Sequence, residues 1–103
     1  MPAERGAHLQ VTVDVAHASL ALTGELDLGT VCAVHGAAPA MLVASAATIT
    51  IDLRGLQFID AAGLGGLVQL CARLSAAGRR VILVRSSAKI RRTFEVAGLA
   101  DLL

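Results

Sequence analysis

Hydrophobic and polar residues alternate one by one in three separate stretches of the chain. Apolar residues occupy every second position in residues 9–15, in residues 19–23 and again in residues 48–53. A period of two is typical of a β-strand that buries one face. Only residues 16–18 separate the first two stretches, which predicts an antiparallel hairpin whose second strand ends at Gly24.

The spacing of apolar residues changes to that of a helix after the third stretch. One helical face of residues 64–74 carries Leu64, Leu67, Val68, Cys71 and Leu74. We predict a short turn ending in Asp60 between the strand and this helix, with the Asp60 carboxylate capping the first helical turn. Gly78 lies just beyond the last apolar residue and favours a left-handed C-terminal stop.

Another helix is predicted before the central strand, over residues 31–43. We expect this helix to kink or break near Gly36, because Pro39 has no N–H and its ring clashes with the carbonyl of His35. Asp27 precedes the helix and is a candidate cap for it. A capping role alone explains Asp27 at least as well as a binding role does.

The last strand and helix are predicted from residues 80–98. The apolar run at residues 81–84 is continuous, so we expect this strand to be buried on both faces. Ser86 or Ser87 is a candidate cap for the following helix, which Gly98 ends. One face of that helix carries Ile90, Phe94 and Ala97.

Together the elements have the order β-β-α-β-α-β-α, which predicts a small α/β domain. We interpret residues 1–103 as a single domain in which residues 1–7 form a disordered leader. Alternation of strands and helices implies parallel pairing with right-handed crossovers after the hairpin. The alternating strands predict a small mixed sheet with helices mainly on one face and a more polar opposite face.

Composition excludes several classes of function. The formal net charge is +1, whereas nucleic-acid binders usually carry a strong basic patch. No apolar run approaches the roughly 20 residues of a membrane span, and the N-terminus has no signal-peptide core. We therefore expect a cytoplasmic protein that neither binds nucleic acid nor inserts into a membrane. The two cysteines, Cys32 and Cys71, form neither a disulfide framework nor a metal-ligand spacing. We expect both to be small buried hydrophobes, with a redox switch as the less favoured alternative.

Signals for catalysis are weak, so we predict no enzyme activity, no cofactor and no metal. The three histidines are interpreted as surface residues, and a pair formed by Asp52 and Asp60 is disfavoured because Asp60 is better explained as a cap. The run at residues 63–66 is not a dinucleotide-binding fingerprint, because Val68 takes the place of its last glycine. Lys89, Arg91 and Arg92 make a small basic face on the last helix, which we interpret as a solvated face in preference to a site for phosphate or an acidic partner.

The start of the central helix is unusually rich in small residues, reading Ala61-Ala62-Gly63-Leu64-Gly65-Gly66. Glycine costs about 1 kcal/mol relative to alanine inside a helix, so propensity does not explain this choice. Two interpretations stay open from the residues alone. The glycines either pack the helix closely on the sheet or leave a flat surface against which another molecule lies.

Residues 49–53 and the run Phe58-Ile59-Asp60-Ala61-Ala62-Gly63-Leu64 resemble the signature of the STAS domain, a family named for sulphate transporters and anti-sigma-factor antagonists. Asp60, Gly63 and Leu64 match the Asp-Ser-(Ser/Ala)-Gly-Leu pattern of that family, and the run Gly24-Glu25-Leu26-Asp27 adds to the resemblance. Ala61 departs from the pattern: it stands where anti-sigma-factor antagonists have the serine that the partner kinase phosphorylates. The resemblance implies a β-α superhelix on a small mixed sheet. Family members usually continue with a further strand and helix, so a shortened C-terminus is expected here.

The resemblance also implies a function. It indicates a protein-binding regulator that binds an anti-sigma-factor serine kinase and so frees a sigma factor, but that lacks the usual phosphorylation site because of Ala61. The partner-binding residues it implies are Asp27, Asp60, Ala61, Ala62, Gly63, Leu64 and Gly66. Two alternatives stay open: a STAS subunit that docks on the ATPase of a lipid-transport ABC complex, and a STAS domain that binds a small molecule or nucleotide. The resemblance leaves the cognate partner and the oligomeric state open.

Overall fold

The structure is a computed structural model that describes residues 8–103. The predicted leader, residues 1–7, lies outside the described residues. The strands are β1 (Leu9–Asp14), β2 (Ser19–Leu26), β3 (Thr48–Ile59) and β4 (Arg80–Val84). The helices are α1 (Val31–Gly36), α2 (Ala38–Val43), α3 (Ala61–Ala76) and α4 (Ala88–Val96), followed by a 3-10 turn at Ala100–Leu102. The predicted α/β order is confirmed.

The four strands form one mixed sheet in the order β1-β2-β3-β4. The hairpin β1–β2 is antiparallel, whereas β2–β3 and β3–β4 are parallel pairs. Each parallel pair is connected through helices, as a parallel connection requires. Because β2 and β3 run in the same direction, the residues that follow their last positions emerge at the same edge of the sheet.

The core lies on one face of this sheet. Every second residue of the central strands is buried there, including Leu20 and Leu22 of β2 and Ile49, Ile51 and Leu53 of β3, each with no exposed surface. The intervening residues are less buried or exposed, so the predicted difference between the two faces is confirmed. Helices α3 and α4 complete the core with apolar side chains, among them Leu67, Leu70, Leu74, Ile90 and Phe94.

Two predicted boundaries in the central strands are wrong. β2 does not end at Gly24 but continues to Leu26, and the residues between Leu53 and Asp60 are not a turn, because β3 continues to Ile59. The pairing of β2 with β3 shifts register twice along this extension. These irregularities interrupt the alternation of apolar residues, and for that reason the pattern alone placed the strand ends too early.

Three expectations about burial are also wrong. β4 is an edge strand, and Ile82 is 38% exposed, so this strand is not buried on both faces. Ala97 is exposed although its spacing placed it with Ile90 and Phe94. Cys32 is exposed on α1, whereas Cys71 is half-buried and packs against the core. A continuous apolar run therefore did not distinguish a central strand from an edge strand.

The predicted helix break and helix ends are confirmed. The helix over residues 31–43 is divided at Ala37, and Pro39 occupies the first turn of α2, where its missing N–H has no intrahelical partner to lose. Gly78 and Gly98, at φ of +83° and +75°, follow α3 and α4 in the left-handed conformation. Ser87, rather than Ser86, caps α4, accepting a hydrogen bond from the N–H of Ile90 at 3.2 Å.

Candidate functional site

Asp27 and Asp60 mark one edge of the sheet. Asp27 follows the last residue of β2, Asp60 follows the last residue of β3, and those last residues, Leu26 and Ile59, are register partners. The N–H of Asp60 donates to the carbonyl of Leu26 at 3.2 Å. The parallel pairing therefore brings these two acidic residues, distant in sequence, to the same edge of the sheet.

Asp60 is the N-cap of α3. Its backbone is extended, and its carboxylate accepts a hydrogen bond from the N–H of Gly63 at 2.8 Å. The carbonyl of Asp60 accepts the N–H of Leu64 at 2.8 Å, the first hydrogen bond of the helix. The predicted cap is confirmed, and it fixes the position at which Ala61 begins the helix.

Asp27 holds the turn before α1. Its carboxylate accepts the N–H of Thr30 at 3.1 Å, and the Thr30 hydroxyl accepts the N–H of Asp27 at 3.0 Å. The Thr30 hydroxyl also lies 2.8 Å from the carbonyl of Glu25, to which it donates. The prediction that Asp27 caps α1 is wrong: the residue directly before that helix is Thr30, and Asp27 caps the turn that leads into it. This arrangement resembles a reciprocal capping box and holds the loop after β2 in place.

Two of the glycines at the start of α3 are buried by close packing. A Cβ at Gly63 would lie 2.2 Å from the carbonyl oxygen of Leu26, and a Cβ at Gly66 would lie 2.0 Å from Cγ2 of Val31. The His35 ring also lies close to Gly66. Gly63 and Gly66 therefore let α3 approach β2 and α1, and packing is the interpretation that the structure supports for them.

The opposite side of the same turns is accessible. Ala61 and Gly65 are exposed, Ala62 is half-buried, and a Cβ at Gly65 would meet no atom within 4 Å. Leu64 is 5% exposed, so little of it is left on the surface. Of the seven implied partner-binding residues, the structure leaves Ala61 exposed, leaves Asp27, Asp60 and Ala62 partly accessible, and buries Gly63, Leu64 and Gly66.

Helix α4 adds a part of the site that the sequence analysis did not include. A groove of about 450 Å³ runs between the start of α3 and α4. It is lined by Ala61, Leu64, Lys89, Arg92, Thr93, Val96 and Ala97. Lys89, Arg92, Thr93 and Val96 of α4 have the spacing i, i+3, i+4 and i+7, which places them on one helical face, and Ala97 directly follows the helix. That spacing was visible in the sequence, but the polar residues within it were interpreted as a solvated face.

The remaining polar groups have structural explanations. Asp52 on the less buried sheet face accepts the N–H of Arg54 and pairs with Arg85 at 3.3 Å. Burial raises the pKa of Asp52, but these hydrogen bonds and the charges of the two arginines outweigh that effect and lower the pKa below its ordinary value.

Burial raises the pKa of the Cys71 thiol to about 11, which keeps it protonated and unreactive at neutral pH. Within residues 8–103 no cluster of side chains is suited to hold a metal ion.

The match to known protein families covers nearly all of the described chain. The family described as "Mlab, STAS domain" matches residues 9–103. The chain belongs to the STAS domain family. This membership agrees with the mixed four-stranded sheet and its helices.

Two relatives that the chain resembles in sequence are anti-sigma-factor antagonists. The chain is 29% identical over 90 residues to the anti-sigma-B factor antagonists of Listeria monocytogenes serovar 1/2a and Listeria innocua serovar 6a, covering 87% of this chain and 79% of theirs. Among solved structures it is similar to the anti-sigma factor antagonist SpoIIAA in its unphosphorylated form, with 26% identity and a TM-score of 0.63. That similarity covers 91% of this chain and 84% of SpoIIAA. An anti-sigma factor antagonist from Mycobacterium paratuberculosis has the same fold, with 22% identity, a TM-score of 0.68 and coverage of 98% of this chain and 86% of that one.

None of the helices in residues 8–103 has both the length and the apolar character that crossing a membrane would require.

Proposed function

We propose that this STAS domain is an anti-sigma-factor antagonist that binds an anti-sigma factor of the serine-kinase type. The observation that carries the proposal is the position of Ala61. It is the exposed first residue of α3, directly after the capping residue Asp60 and beside the loop that Asp27 holds. The relatives named above as anti-sigma-factor antagonists support the same class of function.

The proposed binding surface consists of Asp27, Asp60, Ala61, Ala62 and Gly65. Parallel pairing of β2 and β3 places both aspartates at one edge, and the cap holds the start of α3 against that edge. Small side chains at positions 61, 62 and 65 let a partner approach the helix backbone closely. Gly63 and Gly66 act behind this surface by fixing the height of α3 over the sheet.

Phosphorylation at the start of α3 does not regulate this protein in the proposed function. Ala61 and Ala62 have no hydroxyl to accept a phosphoryl group, which would add about −1.5 to −2 charges at neutral pH. The helix N-terminus would tolerate that charge, but a partner surface shaped for a neutral side chain would not. We therefore expect binding to be constitutive, so that the amount of protein controls it.

The test is binding to candidate anti-sigma-factor kinases by isothermal titration calorimetry, with ATP present and absent. Wild-type protein is expected to bind one of them equally well under both conditions. Ala61→Asp is expected to lose at least ten-fold in affinity while keeping its fold, because an acidic residue in the first turn suits the helix. Ala72→Asp is the matched control, since Ala72 is exposed farther along the same helix. Equal losses in the two variants would contradict the proposed surface.

The converse experiment restores the hydroxyl. With a cognate kinase and ATP, Ala61→Ser is expected to gain 80 Da in intact mass, the mass of one phosphoryl group, and to release the kinase. Wild-type protein is expected to do neither. If the serine variant is not modified and no kinase binds, docking on the ATPase of a lipid-transport complex or binding of a small molecule replaces the present proposal.

A further inference from the structure

The groove between α3 and α4 has an apolar floor to which Ala61 contributes. Leu64, Val96 and Ala97 also line it with apolar atoms, although Leu64 is 5% exposed and contributes little surface. Val96 is 80% exposed, which leaves a branched apolar side chain in water at the last position of α4. Single exposed apolar residues are common, but here one lies beside a concave surface that is also apolar. A serine at position 61 would place a hydroxyl in this floor.

The charged residues that line the groove all have the same sign. Lys89 and Arg92 lie on the face of α4 that lines it, and its lining includes no acidic side chain. Both cations are exposed, so they can attract acidic groups of any chain that lies along the groove. Because they are exposed, salt screens this attraction. Charge complementarity therefore favours an occupant that carries carboxylates.

The shape of the groove favours a chain segment over a small molecule. Small-molecule sites usually enclose most of the ligand and orient it with a few buried polar groups. This groove is open to solvent, and among the described residues no buried side-chain nitrogen or oxygen lacks a hydrogen-bond partner. From Lys89 to Val96 the helix rises about 10 Å, the length of roughly two helical turns. An amphipathic helix laid beside α4 would match that length.

We infer that this groove binds an acidic amphipathic helix of the protein partner. Apolar side chains of that helix contact Ala61, Leu64 and Val96, and its carboxylates lie beside Lys89 and Arg92. The inference depends on the proposed function only for the identity of the partner. It gives the alanine at position 61 a positive role, because its methyl group completes the apolar floor. The absence of serine then changes what is bound as well as how binding is regulated.

The first test needs no known partner. A synthetic helical peptide with leucines along one face and glutamates along the other is titrated into uniformly ¹⁵N-labelled protein, with a lysine-for-glutamate peptide as the control. Amide shifts are expected at Ala61, Leu64, Thr93 and Ala97 with the acidic peptide alone, and they should weaken in high salt. Shifts elsewhere, no shifts, or equal shifts with both peptides would overturn the inference.

Laurate is titrated in parallel as a small apolar anion. Saturable laurate binding in the groove without peptide binding would also overturn the inference, because the occupant would then be a small molecule.

The second test uses a pair of matched variants. Val96 ends α4 and is 80% exposed, and Val43 ends α2 and is 74% exposed, so Val96→Asp and Val43→Asp make the same change at equivalent positions. Val96→Asp is expected to weaken peptide binding at least ten-fold, whereas Val43→Asp leaves it unchanged. The same pair is measured with the anti-sigma factor identified above. If that protein binds wild type and Val96→Asp equally, the groove inference fails while the proposed function stands; if it binds neither, the peptide titration still decides the groove.

Discussion

The two sides of the first turns of α3 use small residues for opposite reasons. On the inner side, Gly63 and Gly66 are buried, and a Cβ at either position would come within 2.2 Å of another atom. On the outer side, Ala61 and Gly65 are exposed, and a Cβ at Gly65 would meet nothing within 4 Å. The close-packing interpretation of the small-residue run therefore holds on the inner side, and the outer side is free for the contact with a partner that is proposed above. A run of small residues in a helix must be divided by face before a role is assigned to it.

The two buried glycines on the inner side face different kinds of atom. Gly63 faces a backbone atom, the carbonyl oxygen of Leu26, which is already held by the N–H of Asp60. Gly66 faces the end of a side chain, Val31. Backbone in a paired strand yields far less readily than a side chain, so the two glycines should differ in how strictly they are required.

Gly63→Ala is expected to have the largest effect on stability. The added methyl would force α3 away from the end of β2 and disturb the hydrogen bond between Asp60 and Leu26. Overpacking of this kind costs about 1–3 kcal/mol, and we expect the upper end of that range despite the gain in helix propensity. Urea denaturation followed by circular dichroism measures the change. A midpoint equal to that of wild type would show that the helix can move at no cost.

Gly66→Ala is expected to cost less, about 1–2 kcal/mol, and to be rescued by a second change. In a Val31→Ala background the clashing methyl is gone, so the added Cβ at position 66 should cost nothing or stabilise the helix. The double-mutant cycle should therefore give a coupling energy of at least about 1 kcal/mol. The control cycle pairs Val31→Ala with Gly65→Ala, whose effects should add. Additivity in both cycles would show that Gly66 is not packed against Val31.

Asp60→Ala tests the N-cap of α3. Loss of the cap to Gly63 is expected to lower the free energy of unfolding by about 1 kcal/mol. Asp60→Asn is the matched variant, because its amide oxygen can still accept the hydrogen bond while the charge is removed. We expect the asparagine variant to stay close to wild type in the urea midpoint. Should both variants lose the same amount, charge rather than the hydrogen bond would be the contribution of Asp60.

The sequence was sufficient for most of the architecture because its signals are local. Alternation located the hairpin and the start of β3, Pro39 located the division between α1 and α2, and Gly78 and Gly98 located two helix ends. The true ends of β2 and β3 were missed because irregular pairing interrupts the alternation. Where a strand changes register, its apolar residues no longer alternate regularly, so alternation cannot show where the strand ends.

The candidate site was predictable where one motif carried it and not where two elements meet. Asp60 was identified as a cap from its neighbours in sequence, and the parallel order brought Asp27 to the same edge. The groove depends on the distance between α3 and α4, which no local pattern specifies. Likewise, the roles of Gly63 and Gly65 could not be separated until the backbone of β2 was seen against only one of them.

Gly65→Ala is expected to change the free energy of unfolding least, and unlike the other substitutions it should raise that free energy. The position is helical, exposed and free of neighbours within 4 Å, so alanine should stabilise the protein by about 0.5–1 kcal/mol through its higher helix propensity. Gly78→Ala is the control, because that site is equally open but has a φ of +83°, at which a Cβ is strained; it should destabilise.

A stabilising change at an exposed glycine also probes the proposed binding surface. If a partner lies against the outer side of α3, the Gly65 methyl should lower its affinity several-fold, although the free protein is more stable. Chemical denaturation and calorimetric titration of the same preparation separate the two effects. Higher stability with unchanged affinity would place the partner away from Gly65, which would leave the groove beside α4 as the contact to examine. Lower stability would show that Gly65, like Gly63, is required by the fold, and the difference between the two sides of α3 would then be lost.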